Sequence, residues 1–225
     1  MKPYLRLLLL RTRRAFLPMA FGLPALGPTG IIMSGVVFNR LEPTPVPWEA
    51  SEVFVLSCFT AILAAVMVVA NLTAFLVHDE RQGGRGRLLR LATIDGRAPV
   101  AAHLCLASLI AAAGVAAGLG VPGAYAVGLG LPPWAWLTAT AWAAACVPAA
   151  GAIGLWIGYL LPRTVAMVAV QMAGLWLVVG LGGDIRDVVK AQTLPLAAVG
   201  WVAAAHLATL LLLPPLWRRT SARLW

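Results

Sequence analysis

Charged side chains that could do chemistry are concentrated in one short segment. The segment holds Asp79, Glu80, Arg81, Arg85, Arg87, Arg90, Asp95 and Arg97, with glycines at positions 83, 84 and 86. These glycines do not form a phosphate-binding G-x-x-x-x-G-K-[ST] loop, because the only two lysines are followed by proline and alanine. The simpler interpretation is a flexible turn that leads into a helix.

Intramembrane hydrolysis would require a nucleophile with a base, or a metal-binding pair such as H-E-x-x-H. His103 and His206 stand alone in apolar sequence, and Ser57 and Ser108 lack a convincing partner. No acid falls inside a predicted membrane span. A lone histidine in a span can mark a proton path, but a helix-packing hydrogen bond is the simpler hypothesis. We therefore predict that the chain is not an enzyme by itself and binds no cofactor or metal directly.

The surrounding elements are predicted to lie in a membrane. Hydrophobic residues make up 61% of the chain and charged residues only 11%, against about 25% charged residues in an ordinary soluble domain. The apolar residues occur in blocks longer than about 18 residues, the length that a bilayer requires. We predict one all-α transmembrane domain over 1–225, with six transmembrane helices. The predicted spans are about 15–38, 53–77, 98–120, 134–161, 164–183 and 193–217.

The segments between these spans differ in character. Residues 1–14 alternate leucines with basic side chains, a composition typical of an amphipathic helix at the membrane interface. The basic residues of this interfacial helix are Arg6, Arg11, Arg13 and Arg14. It leads into the first span without an A-x-A-like cleavage site, so we expect that span to be retained. The uncharged 121–133 segment predicts a short outer turn, and 184–192 a polar outer connection.

The basic residues also predict the orientation, because short loops rich in lysine and arginine remain in the cytoplasm. Six spans place residues 1–14, 78–97, Arg163 and the C-terminal residues on one side. Of the 17 lysines and arginines, only Arg40, Arg186 and Lys190 then fall on the opposite side. We expect a multi-pass protein of the plasma membrane with both termini in the cytoplasm. The positive charge is explained by this topology and gives no indication of nucleic-acid binding.

Small and polar residues within the spans have two interpretations. Glycines recur at four-residue or nearly four-residue spacing, which favours close helix packing. They are Gly114 and Gly118 in the third span, and Gly151, Gly154 and Gly158 in the fourth. Three polar residues could face either a helix interface or a substrate pathway, with packing the simpler role. They are Asn71, Thr73 and Gln171.

The 78–97 segment also contains an amphipathic run. Leucines and arginines follow one another from Arg87 through Leu88, Leu89 and Arg90 to Leu91. A short helix over these positions would have one apolar and one basic face, which suits a groove on a cytoplasmic partner. The alternative interpretation is that this run is a solvated stretch of charge. Docking to a partner is the more specific hypothesis.

Together these features resemble the permease subunit of type-2 ABC exporters over nearly the whole chain. The basic N-terminal segment is similar to the elbow helix of that family. The sequence D-E-R-Q-G-G-R-G-R-L-L-R-L-A-T at 79–93 resembles its E-R-x-x-G-T-x-x-x-L coupling region, with Gly84-Arg85 where the family often has Gly-Thr. The sequence G-L-W-I-G-Y-L-L at 154–161 resembles its fourth span, and 184–192 resembles an outer element that often forms two re-entrant helices.

The resemblance implies a division of labour between subunits. ATP and Mg²⁺ would bind a separate ATPase subunit, which the 79–97 segment would contact. The implied contact residues are Asp79, Glu80, Arg81, Arg87, Leu88, Leu89, Arg90 and Leu91. A second permease copy or a related permease would complete the pathway within membrane lipids. The implied substrate is a hydrophobic or amphipathic small molecule such as a drug, antibiotic, peptide or lipid.

Two other functions stay open at this point. A membrane anchor or sensory subunit would use the same basic segment to recruit a cytoplasmic partner without transporting a substrate. A lipid-modifying membrane enzyme would need an acid or histidine cluster at one membrane face, for which Asp95 and Arg97 are too sparse.

Overall fold

Long apolar blocks form α-helices throughout the described part of the chain. The computed structural model describes residues 5, 6, 8–10, 16–41, 49–82, 97–174 and 196–223, some helix ends by backbone only. The helices are α1 (Phe16–Leu41), α2 (Ala50–Gln82), α3 (Arg97–Gly128), α4 (Pro133–Leu160), α5 (helical from 163 to 174) and α6 (Leu196–Arg223). Residues 5, 6 and 8–10 are also helical. The predicted all-α class is confirmed for these residues.

Four of these helices are long and apolar enough to cross a membrane. Their candidate spans are Pro18–Val37, Ala50–Glu80, Ala98–Gly128 and Pro133–Leu160. A helix is suited to this environment because it satisfies its backbone hydrogen-bonding groups internally. In α6 the apolar part is shorter, Ala203–Leu216. The chain is therefore a multi-pass α-helical membrane protein, and 175–195, where a fifth span was predicted to end, lies outside the described residues.

Helix α2 extends beyond the predicted second span at its charged end. We expected a loop from His78 onward, but the helix continues to Gln82. At 33 residues it is about 50 Å long, compared with about 30 Å for a bilayer hydrocarbon core. Part of α2 must therefore project past the hydrocarbon or run obliquely through it. In this extra turn the Glu80 carboxylate lies within 3.3 Å of the His103 imidazole on α3.

Helix α3 also continues past its predicted end at Gly120. The expected 121–133 turn is reduced to the residues between Gly128 and Pro133, where Gly130 has a φ of 65°. Pro122 lies inside the helix, and a proline there is tolerated in membranes when neighbouring groups take over backbone contacts. The indole of Trp136 on α4 donates a hydrogen bond to the Leu119 carbonyl at 3.0 Å.

Helix α2 packs closely on α4 through glycines. A Cβ at Gly151 would lie 3.1 Å from Val69 and from Ala107. A Cβ at Gly158 would lie 3.0 Å from Val77. Without hydrophobic driving force between helices in lipid, such backbone proximity maximises van der Waals contact. The packing interpretation of these glycines therefore holds within a single chain.

The other glycine pair brings α3 against α1 and α2. Gly118 faces Pro24 and Ala61, and a Cβ there would lie 3.1 and 3.2 Å from their side chains. Gly114 lies one turn away beside Ala65, and a Cβ there would lie 3.5 Å from the alanine methyl group. Both glycines are thus covered inside one chain. They do not indicate an association of two copies.

Polar side chains connect α5 and α6 to this bundle through a hydrogen bond and a cation–π contact. The indole of Trp156 on α4 donates to the Thr209 hydroxyl on α6 at 2.9 Å. The guanidinium of Arg163, at the start of α5, lies 5.8 Å from the ring centre of Phe75 on α2. A cation over an aromatic face is attracted by the ring quadrupole. These contacts connect the later helices to α2 and α4.

We predict that Gly154→Ala destabilises the protein by about 1–3 kcal/mol, the usual cost of overpacking. An added Cβ would overlap the Thr73 hydroxyl and the backbone carbonyl of Ala70, and backbone cannot rotate away. Unfolding by SDS in mixed micelles, followed by tryptophan fluorescence, measures the change. Gly120→Ala is the matched control, since Gly120 is exposed on α3 with no atom within 4 Å of its Cβ position. Equal losses in both variants would contradict the close contact between α2 and α4.

Candidate functional site

The candidate site lies where α2 ends and α3 begins. These two ends flank residues 83–96, which lie outside the described residues. Of the predicted partner-contact residues, Asp79 and Glu80 are described with their side chains, and Arg81 by its helical backbone only. Arg87, Leu88, Leu89, Arg90 and Leu91 fall within 83–96. The structure therefore describes the base of the predicted coupling segment.

A buried carboxylate and a buried imidazole meet at this base. Glu80 on α2 is 7% exposed and His103 on α3 is 1% exposed. The Glu80 Oε2 atom lies 3.3 Å from the His103 Nε2 atom. On the other side of the ring, His103 Nδ1 lies 2.8 Å from the carbonyl oxygen of Pro99, one helical turn earlier. The contact joins the end of α2 to the first turns of α3.

An aromatic ring contacts His103 and links this pair to an apolar cluster. The ring of Tyr159 on α4 stands edge-on to His103, with 6.4 Å between centroids and 89° between planes. Tyr159 also belongs to an apolar cluster with Val77, Leu155 and Leu213, which come from α2, α4 and α6. An apolar environment strengthens electrostatic interactions and makes an isolated charge costly. Burial beside these apolar side chains therefore strengthens the contact between Glu80 and His103.

The surroundings contain further polar residues on α2. His78 is 5% exposed, and Asp79 is half-buried. Together with Glu80 they make the last turns of α2 polar but largely enclosed by protein. An acid and an imidazole in contact can share or exchange a proton, which is the chemistry that this arrangement supports. Among the described residues, no three or more histidine, cysteine, aspartate or glutamate side chains are grouped to hold a metal ion.

The interpretation of His103 as an isolated histidine is wrong. It rested on ending the second span at Val77, which excluded Glu80 from the helix. Extending the helix places Thr73, Val77 and Glu80 at i, i+4 and i+7, on one face. All three are buried. That spacing was visible in the sequence, whereas the proximity of Glu80 to His103 depends on how α2 and α3 pack.

The three predicted pathway residues separate into two environments. Thr73 is 1% exposed, and its hydroxyl donates to the carbonyls of Val69 and Ala70 at 2.9 and 3.0 Å. Its position against Gly154 assigns it to helix packing. Asn71 is half-buried and Gln171 is exposed, and the Gln171 amide donates to Asn71 Oδ1 at 3.1 Å. Of the three, only this second pair reaches the surface of the chain.

The described part of the N-terminal segment has one side against the bundle and one side exposed, and the exposed side includes Leu9 and Leu10. Leu8 is 1% exposed and belongs to the main apolar cluster, against which Leu5 also packs. Arg6 is exposed. Arg11, Arg13 and Arg14 lie outside the described residues. The two leucines hold the segment on the bundle, while the arginine remains available to solvent or lipid headgroups.

These features define a class, a multi-pass α-helical membrane protein with an enclosed acid–histidine contact at one end of its bundle. Searches of protein-family models, curated proteins and solved structures found no match to the chain. The fold and the contact therefore characterise the molecule without assigning it to a family.

We predict that the Asn71–Gln171 hydrogen bond contributes about 0.6 kcal/mol, the average for such bonds between membrane helices. A double-mutant cycle with Asn71→Leu, Gln171→Leu and both changes isolates this coupling. SDS unfolding provides the free energies. Asn71 also donates to the Met67 carbonyl at 2.7 Å, so Asn71→Leu alone should cost more than Gln171→Leu alone. Strict additivity of the two changes would show that the amides do not interact in the folded protein.

Proposed function

We propose that this chain is the membrane-spanning permease subunit of an ATP-driven exporter of the type-2 ABC class. A separate ATPase subunit binds ATP and Mg²⁺ and contacts the 79–97 segment. A second permease, identical or related, completes the pathway. The complex moves a hydrophobic or amphipathic small molecule out of the cytoplasm across the plasma membrane. The sequence resemblance supports this proposal, and three features of the fold are compatible with it.

Beside the sequence resemblance, the Glu80–His103 contact is the structural observation that supports the coupling part of the proposal. It joins the two helices that flank residues 83–96, at the base of the predicted coupling segment. A displacement imposed on that segment would therefore reach α2 and α3 together. The glycine contacts of α2 with α4 would carry the movement further into the bundle. Such a connection would suit mechanical coupling to an external ATPase.

The length of α2 supports the same mechanism. The helix continues past Val77, where the second span was predicted to end, to Gln82, so its charged last turn adjoins residues 83–96 in the sequence. The N-terminal segment adds a second interfacial element, with Leu8 buried and Arg6 exposed. Leu9 and Leu10 are exposed as well, and an elbow helix along the inner leaflet could place such leucines in lipid and Arg6 among the headgroups.

The surface of α5, and not the glycines of α3, supports the presence of a second permease. Gly114 and Gly118 are covered by α1 and α2, so they do not provide a surface for another copy. Gln171 is an exposed amide among exposed apolar residues such as Val168 and Met172 on α5. Polar groups in a membrane rarely face lipid. Gln171 therefore favours a second subunit or a water-filled pathway beside α5.

We predict that replacing Arg87, Leu88, Leu89 and Arg90 together by alanine abolishes co-purification with the partner ATPase. A candidate ABC ATPase, sought first among the neighbouring genes, is co-expressed, and the complex is purified through a tag on the permease. Loss of the apolar and basic contacts should also lower ATP turnover at least tenfold. Size-exclusion profiles check that the variant inserts normally.

Arg186→Ala/Lys190→Ala is the matched control, because both residues are predicted on the outer side and should leave binding unchanged. Vesicle flux then separates the two candidate functions. An ATPase that binds and drives substrate efflux supports a permease. An ATPase or other partner that binds without any flux supports the anchor or sensory subunit, and unchanged binding in the fourfold variant contradicts both.

Six spans with both termini in the cytoplasm are part of the proposal and have their own test. Single cysteines are introduced at Gly86 and Arg186 after the native Cys58, Cys105 and Cys146 are replaced by alanine. A membrane-impermeant maleimide should label Arg186→Cys in intact cells and Gly86→Cys only after permeabilisation. Labelling of both positions from the same side would contradict this topology.

A further inference from the structure

We infer that Gln171 on α5 joins this chain to a second, identical copy through a reciprocal hydrogen bond between their side-chain amides. The inference rests on the proposed function in expecting a second permease. It adds that this permease is another copy of the same chain, and it names the side chain that holds the two together.

The contacts of Asn71 determine how the Gln171 amide is oriented. The Met67 carbonyl can only accept a hydrogen bond, so the Asn71 group that lies 2.7 Å from it is the amide nitrogen. The Asn71 Oδ1 atom is then left to accept, and Gln171 donates one N–H to it at 3.1 Å. Among the described residues, the other N–H and the carbonyl oxygen of the Gln171 side chain have no hydrogen-bond partner. Half of this amide is therefore available to a group outside the chain.

The available half of the amide lies on an apolar surface. Gln171 is exposed beside Val168 and Met172, which are 64% and 60% exposed. Ala166 and Val170, on the opposite side of α5, are buried against the bundle. At this level, the exposed face of α5 is apolar except for one amide.

The depth of this amide in the membrane makes an unpaired half costly. Its partner Asn71 lies six residues past Ala65, the midpoint of the candidate span Ala50–Glu80. Six residues of helix are about 9 Å long, and half of a bilayer core is about 15 Å thick. A span centred on the bilayer therefore places both amides within the hydrocarbon, where an N–H or carbonyl without a partner is costly.

A second copy of the chain completes this amide better than water or lipid. Ordered water needs at least two polar partners, and the neighbouring exposed side chains of Val168 and Met172 provide none. Lipid tails have no hydrogen-bonding groups. A primary amide carries a donor and an acceptor on one edge, so two of them can pair reciprocally about a twofold axis. The remaining N–H of each amide keeps its bond to Asn71 within its own chain.

Sedimentation equilibrium of the isolated chain in density-matched detergent tests this pairing. Wild type should form a dimer, and Gln171→Leu should weaken it by about five- to tenfold, the value of two hydrogen bonds between membrane helices. Gln171→Asn keeps an amide and should restore part of the association. Met172→Leu is the matched control, because it changes the adjacent exposed side chain without changing its polarity, and it should dimerise like wild type.

Asn71→Leu separates a contact between two chains from a contact within one. It removes the internal partner but leaves both Gln171 amides, so it should weaken the dimer less than Gln171→Leu does. Equal losses in these two variants would overturn the inference, as would a Gln171→Leu dimer as stable as that of wild type.

The inference and the permease proposal can fail separately, because no ATPase is present in this experiment. A monomeric wild type would contradict the inference and would leave the permease proposal with a related, non-identical second subunit. A dimer held by Gln171 in a chain that binds no ATPase would support the inference while the permease proposal fails.

Disulfide cross-linking in membranes keeps the inference testable if Gln171→Leu does not fold. In a variant whose three native cysteines are replaced by alanine, Val168→Cys lies one turn from the intact Gln171 amide. Equivalent residues meet near a twofold axis, and a disulfide joins Cα atoms about 4.4–6.8 Å apart, so oxidation should give a dimer of this chain. Leu109→Cys, exposed on α3, is the control and should remain monomeric. Cross-linking of Val168→Cys to a different protein, or no more cross-linking than in the control, would refute the inference.

Discussion

Close approach of α2 to α4 is the constraint on which the rest of this bundle depends. Lipid is as apolar as leucine, so these helices gain nothing from hiding hydrophobic surface from water. They associate because Gly151, Gly154 and Gly158 let the two backbones come near each other. Helix α2 also packs on α1 and α3, which makes it the shared neighbour of the apolar core. Displacing it would disturb every helix that contacts it.

This constraint explains why polar groups are tolerated at the end of α2. The glycine contacts fix the helix beside Tyr159 and Leu155 of α4, and α3 then closes the remaining side with His103. A loosely packed helix end would admit water, and Glu80 would be solvated. Because packing excludes water, the carboxylate must find its partner within the protein. Apolar packing and the acid–histidine contact are thus parts of one arrangement.

Several features could be predicted from sequence because their signals are local. Block length and composition indicated membrane helices, and the spacing of Gly151, Gly154 and Gly158 indicated a packing face. The ends of the helices were harder to predict from the sequence. A charged run such as 78–82 is typical of a loop unless something buries it, and Pro122 is typical of a helix end unless a neighbour such as Trp136 compensates. Both exceptions depend on tertiary contacts that one sequence does not contain.

The Glu80–His103 pair also depends on tertiary packing that one sequence does not contain. Unlike the helix ends, it bears on function. Replacing a buried ion pair with apolar residues is often neutral or stabilising, so such a pair is weak as a device for stability. The adjacent cluster of Val77, Leu155 and Leu213 is apolar, so the site does not need polar side chains for packing. What apolar side chains cannot do is form a directional polar contact between two helix ends. The chemistry of the pair, placed at the base of the segment that connects α2 to α3, therefore favours a role in controlling the relation between these two helices.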